Sequence, residues 1–389
     1  MSNTTRKLQR KNGSFSLSLC MIVKDEAEGL EKCLSTARPH VDEIVVVDTG
    51  STDGTQEIAK RYADVFEEIE WPGSFSEARN HSLDLATGDF ILILDGDEFL
   101  PDPIHWRRIR KSLGENIACV RLPVRNLLPE GQLIAADRMW QERVLRNAPE
   151  IRYEGRVHNQ HSKGIVAYAE RTGHVRATIE AEIIHTGYAH EASKMKEKYS
   201  VRLHLLEAEY ENADTDAHRA YYGYQLGVVH YVMEDFDKAL DLYGALDYPE
   251  LEPGNAFYAH LLAAQAALKL GLASRALIHC NSMLELNRKE PVAYQITGLA
   301  LLQGHQVSDG LLMLLEALAL SQGKQTARFV LNGAALMKNL ARICTSAGLQ
   351  RHADAFTKLE EKGEYTAREA SDIIESLKQG LVYTQRAVA

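Results

Sequence analysis

Cysteine is scarce and unpatterned in this chain. The five among 389 residues, Cys20, Cys33, Cys119, Cys280 and Cys344, are odd in number and form no C-x-x-C pair. Such scatter argues against a zinc-ribbon site and against a disulfide framework, and a reducing, cytoplasmic setting follows. Long apolar runs are missing too. None reaches the ~20 residues that a membrane-spanning helix needs, so no transmembrane segment is expected. Arg6, Lys7, Arg10 and Lys11 precede the apolar run Phe15 to Val23, but that run is short, ends in Lys24-Asp25-Glu26 and has no small-x-small cleavage site after it. A signal peptide is therefore not expected. Basic charge is outnumbered: 44 Lys and Arg stand against 54 Asp and Glu, for a formal net charge of -10. A nucleic-acid partner is not expected of such a chain. Finally, no G-x-G-x-x-G follows the first apolar run and no G-x-x-x-x-G-K-[ST] occurs, which removes support from dinucleotide oxidoreductases and P-loop enzymes.

What is present suggests two domains, since 389 residues exceed one compact core. The first half alternates strand and helix signals. Phe15–Val23, Glu43–Asp48, Val65–Trp71 and Phe90–Asp95 read as strands, and Glu28–Ala37, Gly54–Ala63 and Ser76–Ala86 as the helices between them. This rhythm predicts an α/β domain with right-handed crossovers and a mostly parallel, Rossmann-like sheet. Cys119–Val124, Gln141–Leu145 and Val166–Ala169 are further strand candidates. Near residue 190 the character changes to Ala/Leu-rich and helical, with almost no strand signal, and Ser193–Glu211 reads as a connecting helix. Small residues then recur twelve apart, each pair followed four residues on by a third position: Gly227, Ala239 and Tyr243; Ala264, Ala276 and Cys280; Gly298, Gly310 and Leu314; Ala341, Ala353 and Thr357. Such offsets let antiparallel helices approach closely and resemble the tetratricopeptide repeat, with a plain helical bundle as the alternative. The expected division is a flexible tail over 1–14, a catalytic domain over 15–190 and a helical repeat domain over 191–389.

Polar residues cluster where the strands end. The first strand runs into Lys24-Asp25-Glu26, the second from Asp48 into Thr49-Gly50-Ser51-Thr52-Asp53-Gly54-Thr55, and the fourth into Asp95-Gly96-Asp97-Glu98. In an open parallel sheet the carboxyl ends of the strands line the ligand crevice, so these segments should converge. Asp95 and Asp97, two apart in extended chain, can face one ligand, with Gly96 allowing the turn and a close approach. Paired carboxylates with few other protein ligands suit Mn2+ or Mg2+ completed by phosphate oxygens. Ser51 or Asp53 could cap the following helix, whose N-terminus could also receive phosphate or ribose oxygens.

Together, CMIVKDE (20–26), DEIVVVDTGSTDGT (42–55), FSEARNHSLDLATGDFILILDGDE (75–98) and YEGRVH (153–158) resemble the family-2 glycosyltransferases of GT-A fold, and in particular a subgroup with C-terminal tetratricopeptide repeats. That subgroup includes peptide S-glycosyltransferases, and related catalytic domains build lipopolysaccharide cores. The resemblance implies an inverting transfer from a nucleotide-sugar donor, UDP-linked, to a peptide, protein or glycan acceptor. It assigns Asp97 to the metal and Asp95 to ribose or metal. Asp48 with the turn through Ser51 and Asp53 would hold the nucleoside, with the backbone near Val23 against the base. Arg79 would face the nucleotide, and His185 would be a third metal ligand or touch the diphosphate. The chain departs from the family pattern twice. Thr49 follows Asp48 where many members have a second acid, and Asn159 stands where an acid commonly follows YEGRVH. Glu154 and His158 are then the remaining candidates for the catalytic base, although Glu154 could equally pair with Arg152 or Arg156. The motifs of processive polysaccharide synthases are not visible, so transfer of one sugar or a few is implied. The helical repeats would dock the acceptor, through a surface to which Tyr221, Tyr222, Tyr224, Tyr231 and Tyr258 are candidates, or a partner subunit in a homo-oligomer. Two rival readings are an inactive scaffold acting through its repeats and a sugar nucleotidyltransferase. The latter would want a basic, Gly-rich loop where this chain has acidic KDEAEG.

Overall fold

The computed structural model describes residues 14–128, 134–155, 161–187, 192–321, 328–362, 369, 371–377 and 379. The chain divides into two compact units, one of Met1–Leu127 with Arg138–Ala189 and one of Leu128–Asp137 with His190–Ala389. The tail over 1–14 falls outside the described residues except for Ser14.

The first unit runs β1 (Leu17–Val23), α1 (Ala27–Ala37), β2 (Glu43–Asp48), α2 (Thr55–Tyr62), β3 (Val65–Glu68), α3 (Phe75–Leu85), β4 (Phe90–Ile93), β5 (Glu98–Phe99), α4 (Pro103–Ser112), β6 (Ile117–Leu127), β7 (Ile134–Arg146), α5 (Ser162–Thr172), β8 (Val175–Thr178) and β9 (Ile183–His185). The sheet order is β3-β2-β1-β4-β7-β6-β9-β5. β3, β2, β1 and β4 are mutually parallel, and β7 then joins β4 antiparallel. The central strands are covered on both faces, which is why they read as unbroken apolar runs. Alternate residues feed two cores. Leu19, Met21, Ile44, Val46 and Leu92 pack with Leu30, Leu34 and Trp106. Cys20, Val45, Ile91 and Ile93 pack on the other face with Leu83 and Ile165. This frame sets the ends of β1, β2 and β4 side by side, with Val23 in register with Asp48.

Three local expectations need correction. Val166–Ala169 lies inside α5, whose buried Ile165 faces the core, so the short apolar run is one turn of helix. The third strand stops at Glu68, before Trp71, which instead leaves the sheet and meets Phe75 edge-on. The helical half contains a strand, β10 (Phe329–Leu331), paired antiparallel with the Ile134–Asp137 end of β7. At three residues it is too short to show an alternating pattern. Arg328 holds Asp137 in an ion pair at 2.9 Å, and Glu290 accepts the Arg328 backbone N–H at 2.7 Å.

The second unit continues with α6 (Ala192–Glu211), α7 (Asp216–Val232), α8 (Phe236–Gly244), α9 (Pro253–Lys269), α10 (Ala273–Leu286), α11 (Pro291–Gln303), α12 (Val307–Ser321), α13 (Gly333–Ser346) and α14 (Gln350–Lys362). The four sequence repeats coincide with the hairpins α7/α8, α9/α10, α11/α12 and α13/α14. Their small residues are buried at the crossings: Ala239, Ala264 and Ala276 have no exposure, and Ala353 has 2%. At α11/α12 the two backbones approach closely, since a Cβ on Gly298 would lie 2.8 Å from Leu314 Cγ and 2.9 Å from the Gly310 carbonyl oxygen. Within a helix, alanine is ordinarily favoured over glycine by ~1 kcal/mol. Here the backbone oxygen has no room to yield, so Gly298→Ala is expected to destabilise the fold by about 1–3 kcal/mol. Urea denaturation checks this, and a stabilised variant would mean that the two helices are not held together at this point. The tyrosines proposed for an open surface are largely claimed by packing: Tyr224 is buried, and Tyr221, Tyr222, Tyr231 and Tyr258 are half-buried. Among the described residues, no helix is long and apolar enough to cross a membrane.

Candidate active site

The loops after β1 and β2 are laced together by the residues that the sequence singles out. Asp48, fully buried at the end of β2, accepts the N–H groups of Gly50 at 3.0 Å and Ser51 at 2.9 Å and the Gln56 side-chain amide at 3.0 Å, all on Oδ1. Its other oxygen, Oδ2, is buried without a hydrogen-bond partner. The Ser51 hydroxyl accepts the Asp25 N–H at 2.9 Å, and Asp53 Oδ2 accepts the Ala27 N–H at 3.1 Å. Asp53 Oδ1 also takes the Thr55 N–H and hydroxyl, whereas Ser51 caps no helix. Ser51 and Asp53 thus shape the loop pair, and Asp25 sits at a φ of 52° within it. The Val23 carbonyl receives the Thr49 N–H at 3.0 Å and its hydroxyl at 3.2 Å.

The Asp95-Gly96-Asp97-Glu98 turn follows β4. α3 begins at an N-cap where Ser74 accepts the Glu77 N–H, a standard way to satisfy a helix start. Its Arg79 and Asn80 then point to different partners. Arg79 donates to Asp95 Oδ1 at 2.6 Å. Burial alone would raise the Asp95 pKa, but the Arg79 guanidinium outweighs it and holds the carboxyl well below its ordinary range. Asn80 bonds both the carbonyl and the N–H of Tyr153, at 2.9 and 2.8 Å, and so fixes the start of the YEG segment. Gly96 is required for close approach more than for its turn: a Cβ there would lie 2.9 Å from the Glu26 Cβ at the head of α1. Gly29 meets the same turn from the helix side, where a Cβ would lie 2.9 Å from the Gly96 carbonyl oxygen.

Asp97 is only 7% exposed, so its carboxylate does not lie open in the crevice as expected for a metal ligand. Its backbone carbonyl accepts the Thr186 N–H and hydroxyl, at 3.1 and 3.0 Å. Its Oδ2 lies 3.2 Å from His185 Nε2. β9 brings His185 there by pairing antiparallel with β5, Glu98 opposite His185. On its far side His185 Nδ1 is 2.7 Å from Asn126 Oδ1, at the end of β6. Burial lowers the tendency of His185 to charge, but the Asp97 hydrogen bond and charge override it and raise its pKa. Thus 88 residues of sequence separation close on one Asp–His contact.

Asn126, Glu98 and Arg143 are participants that motif reasoning did not assign. Glu98, 1% exposed, takes both guanidinium nitrogens of Arg143, at 2.9 and 2.6 Å, and accepts the Asp95 N–H at 2.9 Å. Glu98 was visible as the fourth residue of DGDE. Asn126 lies on β6 and Arg143 on β7, where nothing local marks them.

Of the base candidates, His158 lies outside the described residues, as does Asn159. Glu154 is exposed and 3.7 Å from Lys163, whereas Arg152 turns to Asp84. His161 bonds the Glu142 carbonyl through Nε2 at 3.2 Å, and burial drops its pKa to about 4. No group of three or more His, Cys, Asp and Glu side chains placed to hold a metal occurs among the described residues.

The chain thus joins an α/β domain, with carboxylates at the ends of its parallel strands, to a unit of paired helices. Residues 18–139 match the family described as Glycosyl transferase family 2. A TPR repeat-containing protein of Synechococcus elongatus is 37% identical over 162 residues, 42% of this chain and 39% of that protein. The SPbeta prophage-derived glycosyltransferase SunS of Bacillus subtilis is 35% identical over 89 residues, 22% of this chain and 21% of that one. The matched region spans well under half the length of these curated relatives. Among solved structures, glucosyl-3-phosphoglycerate synthase from Mycobacterium tuberculosis, crystallised with Mn2+ and UDP-glucose, aligns at 16% identity and a TM-score of 0.35 over 49% of this chain and 77% of that one.

Proposed function

We propose that this protein is an inverting, divalent-metal-dependent glycosyltransferase that uses a nucleotide-sugar donor, UDP-linked, and a peptide, protein or glycan acceptor. The observation that carries the reading is the facing pair of Asp97 Oδ2 and His185 Nε2, next to Asp95, at the carboxyl ends of the central strands. His185 Nε2 shares a hydrogen bond with Asp97 Oδ2 at 3.2 Å, and its Nδ1 is 2.7 Å from Asn126 Oδ1. A divalent cation could replace the proton that the two atoms share. A carboxylate oxygen and an imidazole nitrogen are donors that suit Mn2+ or Mg2+ completed by diphosphate oxygens. When bound, the ion would neutralise charge developing on the departing nucleoside diphosphate.

The chain's own residues do the rest. Arg79 keeps Asp95 ionised and aimed, for a ribose hydroxyl or the metal. The loop after Asp48, braced by Ser51 and Asp53, forms the nucleoside side with the backbone at Val23. Glu154 or His158 takes the proton from the acceptor as it attacks the anomeric carbon. Holding both substrates at one crevice removes much of the entropic barrier. We assign acceptor docking to the helical unit, with a homo-oligomer contact as its other use, and the cytoplasm as the compartment.

The test is a thermal-shift panel of nucleotide sugars on the full chain, with and without Mn2+, coupled to detection of released nucleoside diphosphate. A ligand at 100 times its Kd stabilises the folded state by ~2.7 kcal/mol. A UDP-sugar is expected to raise Tm only with the metal present. No shift with any nucleotide sugar, with Mn2+ present, would leave the scaffold reading in its place.

A further inference from the structure

We propose that Asn80 is a positioning residue for the base that activates the acceptor: it fixes the segment Tyr153-Glu154-Gly155 and so sets where the Glu154 carboxylate can stand. The inference rests on the reading of Glu154 as that base. The segment lies between β7 and α5, and α3 grips it through side chains. The Asn80 amide donates to the Tyr153 carbonyl at 2.9 Å and accepts the Tyr153 N–H at 2.8 Å. Only one orientation of the amide satisfies both bonds, so the side chain acts as a short second strand. One turn earlier on the same helix, the Ser76 hydroxyl donates to the Gly155 carbonyl. The residues on both sides of Glu154 are thereby held by one helix.

Packing sets the direction. Tyr153 is 8% exposed, with its ring 4.6 Å from the His161 ring and the Arg79 guanidinium 5.6 Å from its centre. With Tyr153 turned inward, extended chain turns Glu154 outward, where its side chain is 63% exposed. Lys163, 3.7 Å from Glu154, is itself 79% exposed, and a surface pair of that kind contributes little to holding either side chain. The position of Glu154 therefore comes from its backbone, and the backbone is held by Asn80 and Ser76. Arg79, the neighbour of Asn80, donates to Asp95 at 2.6 Å. Two adjacent residues of α3 thus grip the Asp95 turn and the Glu154 segment, and the helix fixes one against the other.

The test is a double-mutant cycle on the full chain: wild type, Asn80→Ala, Glu154→Gln and the double variant. The readout is kcat for release of UDP from UDP-glucose, UDP-galactose and UDP-N-acetylglucosamine with Mn2+ and water as acceptor, with UDP affinity measured in parallel. In that reaction the base takes a proton from water, the oxygen bonds to the anomeric carbon and the bond to UDP breaks. Loss of a general base costs on the order of a hundredfold or more, and a misplacement of ~1 Å can cost about as much. Asn80→Ala is expected to lower kcat about 10–100-fold and to leave UDP affinity within a few-fold of wild type. Because Asn80 acts through Glu154, the double variant should be no slower than Glu154→Gln, whereas a merely structural loss would multiply with the loss at Glu154. If Asn80→Ala does not fold, Ser76→Ala, which releases the other end of the segment, takes its place in the cycle under the same criteria. Unchanged kcat in the folded variant, or losses that multiply, would overturn the positioning role and leave Glu154 as the base. Unchanged kcat in Glu154→Gln, or no UDP release by wild type, would remove the base reading itself, and the role of Asn80 with it.

Discussion

Asp97→Asn is expected to lower kcat by on the order of a hundredfold or more while leaving the protein folded, the scale found when one preorganised electrostatic element is deleted at a reacting centre. The substitution keeps the size of the side chain. It leaves untouched the two hydrogen bonds that Thr186 makes, because those go to the Asp97 backbone carbonyl. What it removes is a negative charge, only 7% exposed, facing His185. Gly187 lies against the same carboxylate, and a Cβ there would collide with Asp97 Oδ2. The pocket is thus shaped to this side chain, and the change should be felt as lost charge and not as lost packing. Steady-state kinetics with circular dichroism and a melting curve separate the two. A variant with wild-type kcat would remove Asp97 from the mechanism. Undiminished wild-type turnover in EDTA would remove the metal.

The largest effect on stability is expected at the Glu98–Arg143 pair. Glu98 is 1% exposed at the side chain and Arg143 10%, and the contact is a two-pronged guanidinium–carboxylate pair. Such a pair contributes little net stability against an apolar substitute, because two charges must leave water. Removing one partner is different, since the other is left buried and uncompensated, at a cost of about 3–5 kcal/mol. Arg143→Met should therefore destabilise the first unit strongly. The double variant Arg143→Met with Glu98→Gln should recover a large part of the loss. Chemical denaturation of the four proteins in a double-mutant cycle measures this. Additive losses would mean that the two side chains do not act as a pair. Because Glu98 also accepts the Asp95 N–H, the double variant should fold and yet remain impaired in turnover through a loosened Asp95.

Much of the architecture was legible in the residues. Buried parallel strands must be apolar throughout, so CMIV, EIVVVD and FILILD announce themselves, and their polar ends mark the crevice. The helix-pair repeat was legible for a similar reason: close helix crossings demand small residues, and Gly298 with Gly310 leaves no alternative at its crossing. Short or mixed segments were not. Val166–Ala169 is apolar over one turn, too short for its period to separate strand from helix. β10 spans three residues, and its existence depends on pairing with Ile134–Asp137, nearly two hundred residues earlier in the chain.

By itself the sequence determined the α/β alternation, the repeat of helix pairs, the strand-end carboxylates and the candidacy of Asp95, Asp97 and His185. All but His185 rest on local periodicity and on residue types that chemistry restricts, and His185 was marked only by the family resemblance. Only the tertiary structure decided which side chains meet. It turned Arg79 onto Asp95, spent Ser51 and Asp53 on joining two loops, and buried Asp97 against His185. It also recruited Asn126 and Arg143, which no motif marks. The physical reason is that a strand register places residues far apart in sequence within hydrogen-bond reach, and register is a property of the whole sheet. A carboxylate's role depends on the donor that faces it, and that donor is supplied by a different strand or helix.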